Sequence, residues 1–359
     1  MVGVKHKIGI IGFGGMARFH HSYLTENNYE RAEFKGVVDL NPEACKVAAE
    51  RGLKVYSSKE EMFADPEIDL ITVAATNEVH KDLSIEAMRA GKHVICEKPV
   101  TMSSEELLEV MEVAKETGMI FTINQNRRTN LDAVSVKKQM DTGILGDVYL
   151  FESRVEGSRG MPSGWRTIKA LGGGMMLDWG VHLIDQIMNV ILVGDKVKQV
   201  YCRMLHIQYS EVEDGFHLRL SFESGKEAII EVGTNNFIPH SKWYVYGTEG
   251  TMAINSWEQG GKIVRCKDRD NVWDEDIIIT SAGPTKTMAP RNQFSTETIE
   301  FEFPKDVTDD MTVTYGQFID AVEGKAELTI TPEQALRVMR VMEAAFESDE
   351  KKSVINVEI

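Results

Sequence analysis

The stretch KIGIIGFGGMARFH, from Lys7 to His20, decides the fold of the N-terminal part of the chain. A short apolar strand pattern runs directly into Gly12-Phe13-Gly14-Gly15-Met16-Ala17, which matches the pattern G-x-G-x-x-A. In such a turn the first glycine permits a tight bend, the second lets the backbone approach a pyrophosphate, and the small sixth residue lets the helix pack against the strand. Because the helix N-terminus then faces the phosphates, the stretch predicts a dinucleotide site.

An acidic residue completes this pattern at the end of the second strand, KGVVDLNP. Asp39 follows Gly12 by 27 positions, whereas the usual spacing is about 20. A carboxylate at a strand end can accept both hydroxyls of an adenosine ribose. Neither Leu40 nor Asn41 supplies a positive charge for a 2′-phosphate, so the sequence favours NAD over NADP. The predicted contacts of this half of the cofactor are Gly12, Phe13, Gly14, Gly15, Met16, Ala17 and Asp39.

Length and charge narrow the classes of protein that need to be considered. The 359 residues are enough for two domains, because a single core rarely grows past about 250–300 residues. A net charge of −16 argues against nucleic acid or an anionic membrane surface as a partner. No leader pattern and no apolar run near the ~18 residues of a membrane span are seen, so we expect a cytoplasmic protein. The four scattered cysteines are typical of reduced thiols.

Two kinds of pattern divide the chain. Residues 7–127 alternate apolar strands with helical stretches, which is typical of a doubly wound parallel sheet. From about Lys196 to Glu302, polar and apolar residues alternate, which predicts antiparallel strands. We therefore predict one domain over 1–127 and an α+β domain over 128–359, with a long loop within 281–298. Thr331 before Pro332 predicts the start of a helix near the C-terminus.

The strand pattern HVICEK leads into the first candidate for chemistry, Glu97-Lys98-Pro99. Residues that follow a strand at the carboxyl edge of a parallel sheet lie beside the nicotinamide half of a bound dinucleotide. Glu97 can hold the second ribose there. Lys98 can donate to the oxygen of a reacting alcohol and stabilise its developing charge. On spacing alone, a solvated Lys-Pro loop explains the pattern equally well.

The second candidate is GGGMMLDWGVHLID, residues 172–185. Asp178 and His182 are four positions apart and would share one helix face, with Asp185 near the same stripe. An imidazole beside a carboxylate is a usual arrangement for a general base. A core histidine satisfied by an acid is one alternative. A metal set of Asp, His and Asp is another, although no further His or Cys set supports it.

Taken together, these motifs resemble the glucose–fructose oxidoreductase / inositol dehydrogenase family, often written Gfo/Idh/MocA. The likeness runs through nearly the whole chain, and AGKHVICEKP is far more specific than the glycine turn. Besides the motifs above, it is carried by Thr76-Asn77 with His80, Asn126-Arg127-Arg128, Trp165-Arg166, Gly247-Thr248-Glu249-Gly250 and Glu343-Ala344-Ala345.

The resemblance implies a Rossmann domain followed by a domain built on a large, mostly antiparallel open sheet. It implies a tightly held NAD or NADP and action on sugars, cyclic polyols or glycosides. It also implies homodimers or homotetramers that pair through the C-terminal sheet. The family's catalytic lysine corresponds to Lys98, and its acid and histidine correspond to Asp178 and His182. No metal is needed if the lysine polarises the alcohol oxygen.

The resulting hypothesis is an NAD-dependent oxidoreductase, with Lys98 as donor, His182 as base and Asp178 holding or charging the imidazole. Two alternatives are an enzyme that oxidises its substrate only transiently during glycoside cleavage or epimerisation, and a non-catalytic NAD-binding sensor. Further cofactor contacts are predicted at Thr76, Asn77, His80, Glu97, Lys98 and Asn126. Substrate contacts are predicted at Lys98, Arg127, Trp165, Arg166, Asp178 and His182.

Overall fold

The computed structural model describes residues 5–267, 278–285 and 294–359. Within these residues the strands form a six-stranded sheet, a nine-stranded sheet and a two-stranded hairpin. The strands are β1 (His6–Ile11), β2 (Ala32–Val38), β3 (Lys54–Val55), β4 (Leu70–Val73), β5 (His93–Cys96), β6 (Phe121–Ile123), β7 (Val148–Glu156), β8 (Val197–Leu205), β9 (Gly215–Phe222), β10 (Glu227–Gly233), β11 (Trp243–Gly247), β12 (Gly250–Ile254), β13 (Gly261–Cys266), β14 (Ile278–Thr280), β15 (Gly283–Thr285), β16 (Thr296–Phe301) and β17 (Ile355–Asn356). The α-helices are α1 (Gly15–Glu26), α2 (Pro42–Glu50), α3 (Lys59–Ala64), α4 (His80–Arg89), α5 (Ser104–Thr117), α6 (Leu131–Asp141), α7 (Val181–Gln186), α8 (Met311–Val322) and α9 (Pro332–Lys351).

The six-stranded sheet is parallel throughout, in the order β3-β2-β1-β4-β5-β6. The chain reverses its direction of winding between β1 and β4, which opens a crevice at the carboxyl ends of the strands. Every residue of β4 is buried, as expected for a strand covered on both faces. The predicted Rossmann fold is confirmed.

Local signals in the sequence explain where several helices begin and end. Gly118 has a φ of 69° in the left-handed region and ends α5. Thr331 caps α9 through a reciprocal pair of hydrogen bonds with Gln334, and Pro332 occupies the first turn. These ends fix the lengths of helices that cover the two sheets.

The nine-stranded sheet has the order β16-β13-β12-β11-β7-β10-β9-β8-β17. Among its described pairs, β7 with β10 is parallel and the others are antiparallel. Alternate residues along β8, β9 and β10 are buried, so one face packs against helices and the other is more exposed. The prediction of a large, mostly antiparallel sheet is confirmed.

The last two helices contact the parallel sheet as well as the second one. Tyr315 and Phe318 of α8 pack with Ile8 and Leu70 in the core beneath β1 and β4. Glu343 of α9 accepts hydrogen bonds from the backbone and the hydroxyl of Ser104, at 2.6 and 2.7 Å. The division at 127/128 stays a prediction, and these contacts join the end of the chain to its first half.

The structure departs from the regular helix that was expected to place Asp178 and His182 on one face. Here α7 is flanked by two π-helical turns, Met176–Gly180 and Ile187–Ile191. A π turn adds a residue to the repeat, so positions four apart no longer stack one above the other. Within the predicted loop 281–298, β15 and the start of β16 are strands, and 286–293 lie outside the described residues. In the part of the chain that the structure describes, no helix has the length and hydropathy needed to cross a membrane.

Candidate active site

The glycine turn after β1 has the shape that a pyrophosphate requires. Gly12 has a φ of 84°, and a Cβ there would lie 2.7 Å from the carbonyl oxygen of Ala74. A Cβ at Gly14 or Gly15 would meet no described atom within 4 Å, so the space beside the start of α1 is open. The N-cap residue of this helix, Gly14, has no side chain to cap it, which leaves the first N–H groups available to an anion. The turn therefore fits the phosphates of a dinucleotide.

The acid of the second strand lies beside this turn. Asp39 accepts hydrogen bonds from the backbone N–H of Phe13 at 2.5 Å and of Asn41 at 2.7 Å. The guanidinium carbons of Arg18 and Arg51 lie 5.8 and 5.9 Å from the centre of the Phe13 ring. Arg18 belongs to α1, five positions after Phe13, and Arg51 directly follows α2. Sequence analysis missed them because it considered only the immediate neighbours of Asp39.

Lys98 lies at the carboxyl edge of the sheet, directly after β5 and Glu97. Its ammonium group donates to the backbone carbonyl of Asp178 at 2.8 Å and to the carboxylate Oδ1 of Asp178 at 2.9 Å. The Lys98 side chain is mostly buried. The Lys-Pro loop is therefore not a solvated one. It reaches across to the segment that carries the second candidate motif.

Asp178 holds a second cation in addition to Lys98. The Nε of Arg166 donates to Oδ2 at 2.8 Å, and Nη2 approaches Oδ1 at 3.4 Å. Burial raises the pKa of Asp178, but the charges of Lys98 and Arg166 outweigh burial and bring that pKa below its ordinary value. Asp178 is therefore an ionised clamp between two cations.

His182 does not pair with Asp178, and in this respect the sequence-based expectation is wrong. In the described part of the chain no hydrogen bond joins the two residues, and Nδ1 of His182 is buried without a hydrogen-bond partner. The π turn at Met176–Gly180 changes the register that the prediction assumed. The ring of Trp179 lies 6.0 Å from that of His182, centroid to centroid, in an edge arrangement.

Burial keeps His182 neutral. It lowers the pKa of His182 well below 6.5, and the charges of Lys98 and Arg127 lower it further. A neutral imidazole has one ring nitrogen without a proton, and this nitrogen can accept a proton from a substrate. The segment thus presents a base without the carboxylate partner that was predicted for it.

Asp185 belongs to a separate ion pair. Its two carboxylate oxygens each accept a hydrogen bond of 2.7 Å from the guanidinium fork of Arg128. The carboxylates of Asp185 and Asp178 are therefore both already neutralised by cations. This geometry does not support the alternative in which Asp178, His182 and Asp185 bind a metal.

Aromatic rings and cations form a wall next to His182. The guanidinium of Arg127 lies 4.4 Å from the ring centre of Trp179 and 5.3 Å from that of Trp257. The two indole rings are 5.9 Å apart. The ammonium group of Lys242 lies over the Trp257 ring, 3.1 Å from its centre, and forms an ion pair with Asp132. Such cation–aromatic stacking is strongest where water is excluded.

Three members of this wall, Trp179, Trp257 and Lys242, are missing from the predicted site. Trp257 lies in the loop after β12, in a stretch with no motif. Nothing in its local sequence marks it, and only the fold brings it next to Arg127. Lys242 carried equally little signal, whereas Trp179 lies inside the motif 172–185, directly after Asp178, and could have been found there. The predicted Trp165 instead stacks on its neighbour Arg166, at 4.5 Å.

The remaining predicted cofactor residues lie around the loops that support Lys98. The imidazole of His80 is buried and hydrogen-bonds the carbonyl oxygens of Pro99 at 2.9 Å and Ala75 at 3.2 Å. The amide of Asn77 donates to the carbonyl of Gly172 at 3.0 Å. Thr76 donates to Glu78, and Asn126 opens a short 3₁₀ turn. These contacts tie the loops at the edge of the parallel sheet to the segment before Asp178.

A cleft of about 560 Å³ opens next to the Asp178 clamp. Its lining includes Arg166, Asp178 and Trp179, together with the ends of β7 and β10 and the loop that follows β7. Its size is within the range of small-molecule sites. Asp178 therefore connects Lys98, which it holds, to a cavity that can take a small ligand.

Comparisons with known proteins agree with this geometry. Residues 6–125 match the model of an oxidoreductase family with an NAD-binding Rossmann fold. Residues 134–253 match the Gfo/Idh/MocA C-terminal domain. The chain belongs to the Gfo/Idh/MocA oxidoreductase family. It is therefore an NAD(P)-dependent oxidoreductase, as the sequence predicted.

Relatives within the family illustrate its range. The crystal structure of an NAD-binding protein from Listeria innocua superposes with a TM-score of 0.92, at 39% identity over 98% of this chain and 99% of that one. The scyllo-inositol 2-dehydrogenase (NADP(+)) IolW of Bacillus subtilis is 27% identical over 98% of this chain and 96% of the relative. A D-glucoside 3-dehydrogenase of Escherichia coli is 31% identical over 52% of this chain and 54% of its own length.

Proposed function

We propose that this enzyme transfers a hydride between NAD and a ring secondary hydroxyl of a sugar, cyclitol or glycoside. The observation that carries the proposal is the Lys98 ammonium, held by Asp178 at 2.8 and 2.9 Å in the neighbourhood of a neutral, buried His182. A donor for an alcohol oxygen and an acceptor for its proton are the two protein groups that such an oxidation needs. A sensor would need neither.

The residues divide the work as follows. Lys98 donates a hydrogen bond to the alcohol oxygen and stabilises the negative charge that develops there. His182 accepts the hydroxyl proton. Because its pKa lies below the usual value, the imidazole is unprotonated and able to do so at neutral pH. Asp178 fixes the Lys98 ammonium, and Arg166 keeps Asp178 ionised. Bound NAD supplies the acceptor for the hydride that leaves the carbinol carbon.

The wall beside His182 supports a ring polyol as substrate. Trp179 and Trp257 offer apolar faces, and Arg127 and Arg166 offer several N–H donors. A sugar or cyclitol ring presents C–H groups on its faces and hydroxyls around its edge, so it can use both kinds of surface. The relatives named for inositol and glucoside substrates support the same class of substrate.

A panel of glucosides, inositols, open-chain aldehydes and 2-hydroxy acids, each with NAD, tests the proposal. We expect NADH to form with ring polyols, and the product to lose two hydrogens from a ring carbinol, as measured by mass and NMR. Activity confined to aldehydes or hydroxy acids would overturn it. Conversion of a glycoside or epimer without net NADH would instead favour the transient-oxidation alternative. The Lys98→Ala variant serves as the blank for contaminating activity.

NAD is expected to be preferred over NADP, although one relative uses NADP. Repulsion between a 2′-phosphate and the Asp39 carboxylate costs on the order of 1–3 kcal/mol, which corresponds to a several-fold to hundredfold preference. The measurement is kcat/KM with each cofactor. Asp39→Ala should narrow the preference, because Arg18 and Arg51 remain close to the same corner. Equal or better turnover of the unmodified enzyme with NADP would contradict the prediction.

We also propose that copies of the chain pair through the outer face of the nine-stranded sheet. This face carries exposed rings, including Tyr149 and Tyr201, among charged residues. Light scattering of the purified enzyme tests for a dimer or tetramer, and a monomer at micromolar concentration would contradict the proposal. The cytoplasmic location stays a prediction.

A further inference from the structure

A chain of buried polar side chains runs from the interior of the parallel sheet to the residue before Lys98. The Tyr315 hydroxyl lies 2.9 Å from the hydroxyl of Thr72 and 2.8 Å from Nδ1 of His20. Nε2 of His20 lies 2.8 Å from Oε1 of Glu97. The amide of Asn124 donates to the same oxygen at 2.6 Å. All five residues are buried, and the mechanism above uses none of the first three.

The ionised state of Glu97 fixes the direction of the hydrogen bonds that reach it. Burial raises the pKa of Glu97, but the contacts with His20 and Asn124 outweigh it, so the carboxyl is ionised and only accepts. Nε2 of His20 must therefore carry a proton. Burial raises the pKa of Tyr315, so its hydroxyl stays protonated and can hydrogen-bond both Nδ1 of His20 and the hydroxyl of Thr72.

The two oxygens of Glu97 consequently have different environments. Oε1 receives both strong contacts, whereas among the described residues Oε2 receives only the backbone N–H of Lys98, at 3.3 Å. A carboxylate oxygen accepts more than one hydrogen bond, so Oε2 keeps capacity for a ligand. It lies directly after β5, at the edge of the sheet where the nicotinamide half of the cofactor binds in this fold.

We propose that His20 and Tyr315 are positioning residues, which hold Glu97 so that Oε2 receives a hydroxyl of the ribose on the nicotinamide side. Tyr315 belongs to α8, far along the chain from the Rossmann strands. The C-terminal part of the molecule thereby sets the geometry of the cofactor half on which hydride transfer takes place. The proposal rests on NAD binding and not on the identity of the sugar.

Calorimetric titration of the full chain with NAD and with ADP tests it. ADP carries the adenosine and the phosphates but not the second ribose. Losing a hydrogen bond to a charged group costs much binding free energy. Glu97→Gln and His20→Leu should therefore each raise the Kd for NAD about tenfold or more and leave the Kd for ADP unchanged. Tyr315→Phe, which removes one oxygen atom, should raise the Kd for NAD about two- to tenfold.

Coupling and a matched control separate positioning from general damage. If His20 acts through Glu97, the double variant with Glu97→Gln and His20→Leu should bind NAD no worse than whichever single variant has the higher Kd. His20→Gln, which retains an N–H donor, should recover part of the loss. Thr122→Val removes a buried hydroxyl that donates to the Ile330 carbonyl, outside the network, and should leave NAD binding unchanged. Equal losses of NAD and ADP affinity, additive effects, or normal NAD binding in both His20→Leu and Tyr315→Phe would overturn the proposal.

Discussion

Replacing Lys98 with alanine is expected to lower kcat by about 10²–10⁴-fold. This range is typical of a side chain that donates or accepts a proton or hydrogen bond at the reacting group in the transition state. The Kd for NAD should change far less, because Lys98 is held by Asp178 and, in the proposed mechanism, donates to the alcohol oxygen and not to the phosphates. Stopped-flow measurement of hydride transfer, with calorimetry for NAD, separates the two effects.

The ion pairs around Asp178 make this variant interpretable. Without Lys98, the carboxylate still has the Arg166 guanidinium at 2.8 Å, so the clamp does not become a buried unpaired charge. Arg166→Ala is the matched variant, since it removes the other cation on Asp178 but leaves Lys98 in place. It should lose less kcat than Lys98→Ala. Near-normal turnover of Lys98→Ala would mean that another group donates to the oxygen.

Local sequence signals were sufficient to predict the Rossmann half. The glycine turn, the apolar runs of β1 and β4, the left-handed Gly118 and the Thr331 cap each act over a few residues, so their structural effect can be read without knowing the rest of the molecule. The short β3 and α3 escaped prediction because a two-residue strand and a six-residue helix carry too little periodicity.

Pairings between distant residues could not be predicted in the same way. Lys98 and Asp178 were both candidates, yet their contact spans 80 positions and depends on how the two sheets meet. The expected pairing of Asp178 with His182 assumed a regular repeat of 3.6 residues, which the π turn breaks. Trp257 and Tyr315 had no motif at all, and they enter the site only through the packing of the C-terminal half.

Replacing His182 with alanine is the second change for which we expect a large loss, again about 10²–10⁴-fold in kcat. The imidazole is buried among Lys98 and Arg127 and lacks a hydrogen-bond partner on Nδ1 among the described residues. A buried polar atom without a hydrogen-bond partner lowers the stability of the fold, and its presence here favours a functional role for the imidazole. Near-normal turnover of His182→Ala would show that the base has been misassigned.

The pH profile gives this prediction a second, independent readout. Burial lowers the pKa of His182 below 6.5. As the pH falls through 6.5, the imidazole therefore stays neutral and able to accept a proton until the pH reaches its lowered pKa. The acidic limb of kcat/KM, which reports the free enzyme, should therefore fall below pH 6.5 and disappear in His182→Ala. Asp178→Asn should be less damaged and should keep the limb, because Asp178 contacts Lys98 and Arg166 but not the imidazole. A limb that Asp178→Asn abolishes and His182→Ala retains would instead make Asp178 the titrating base.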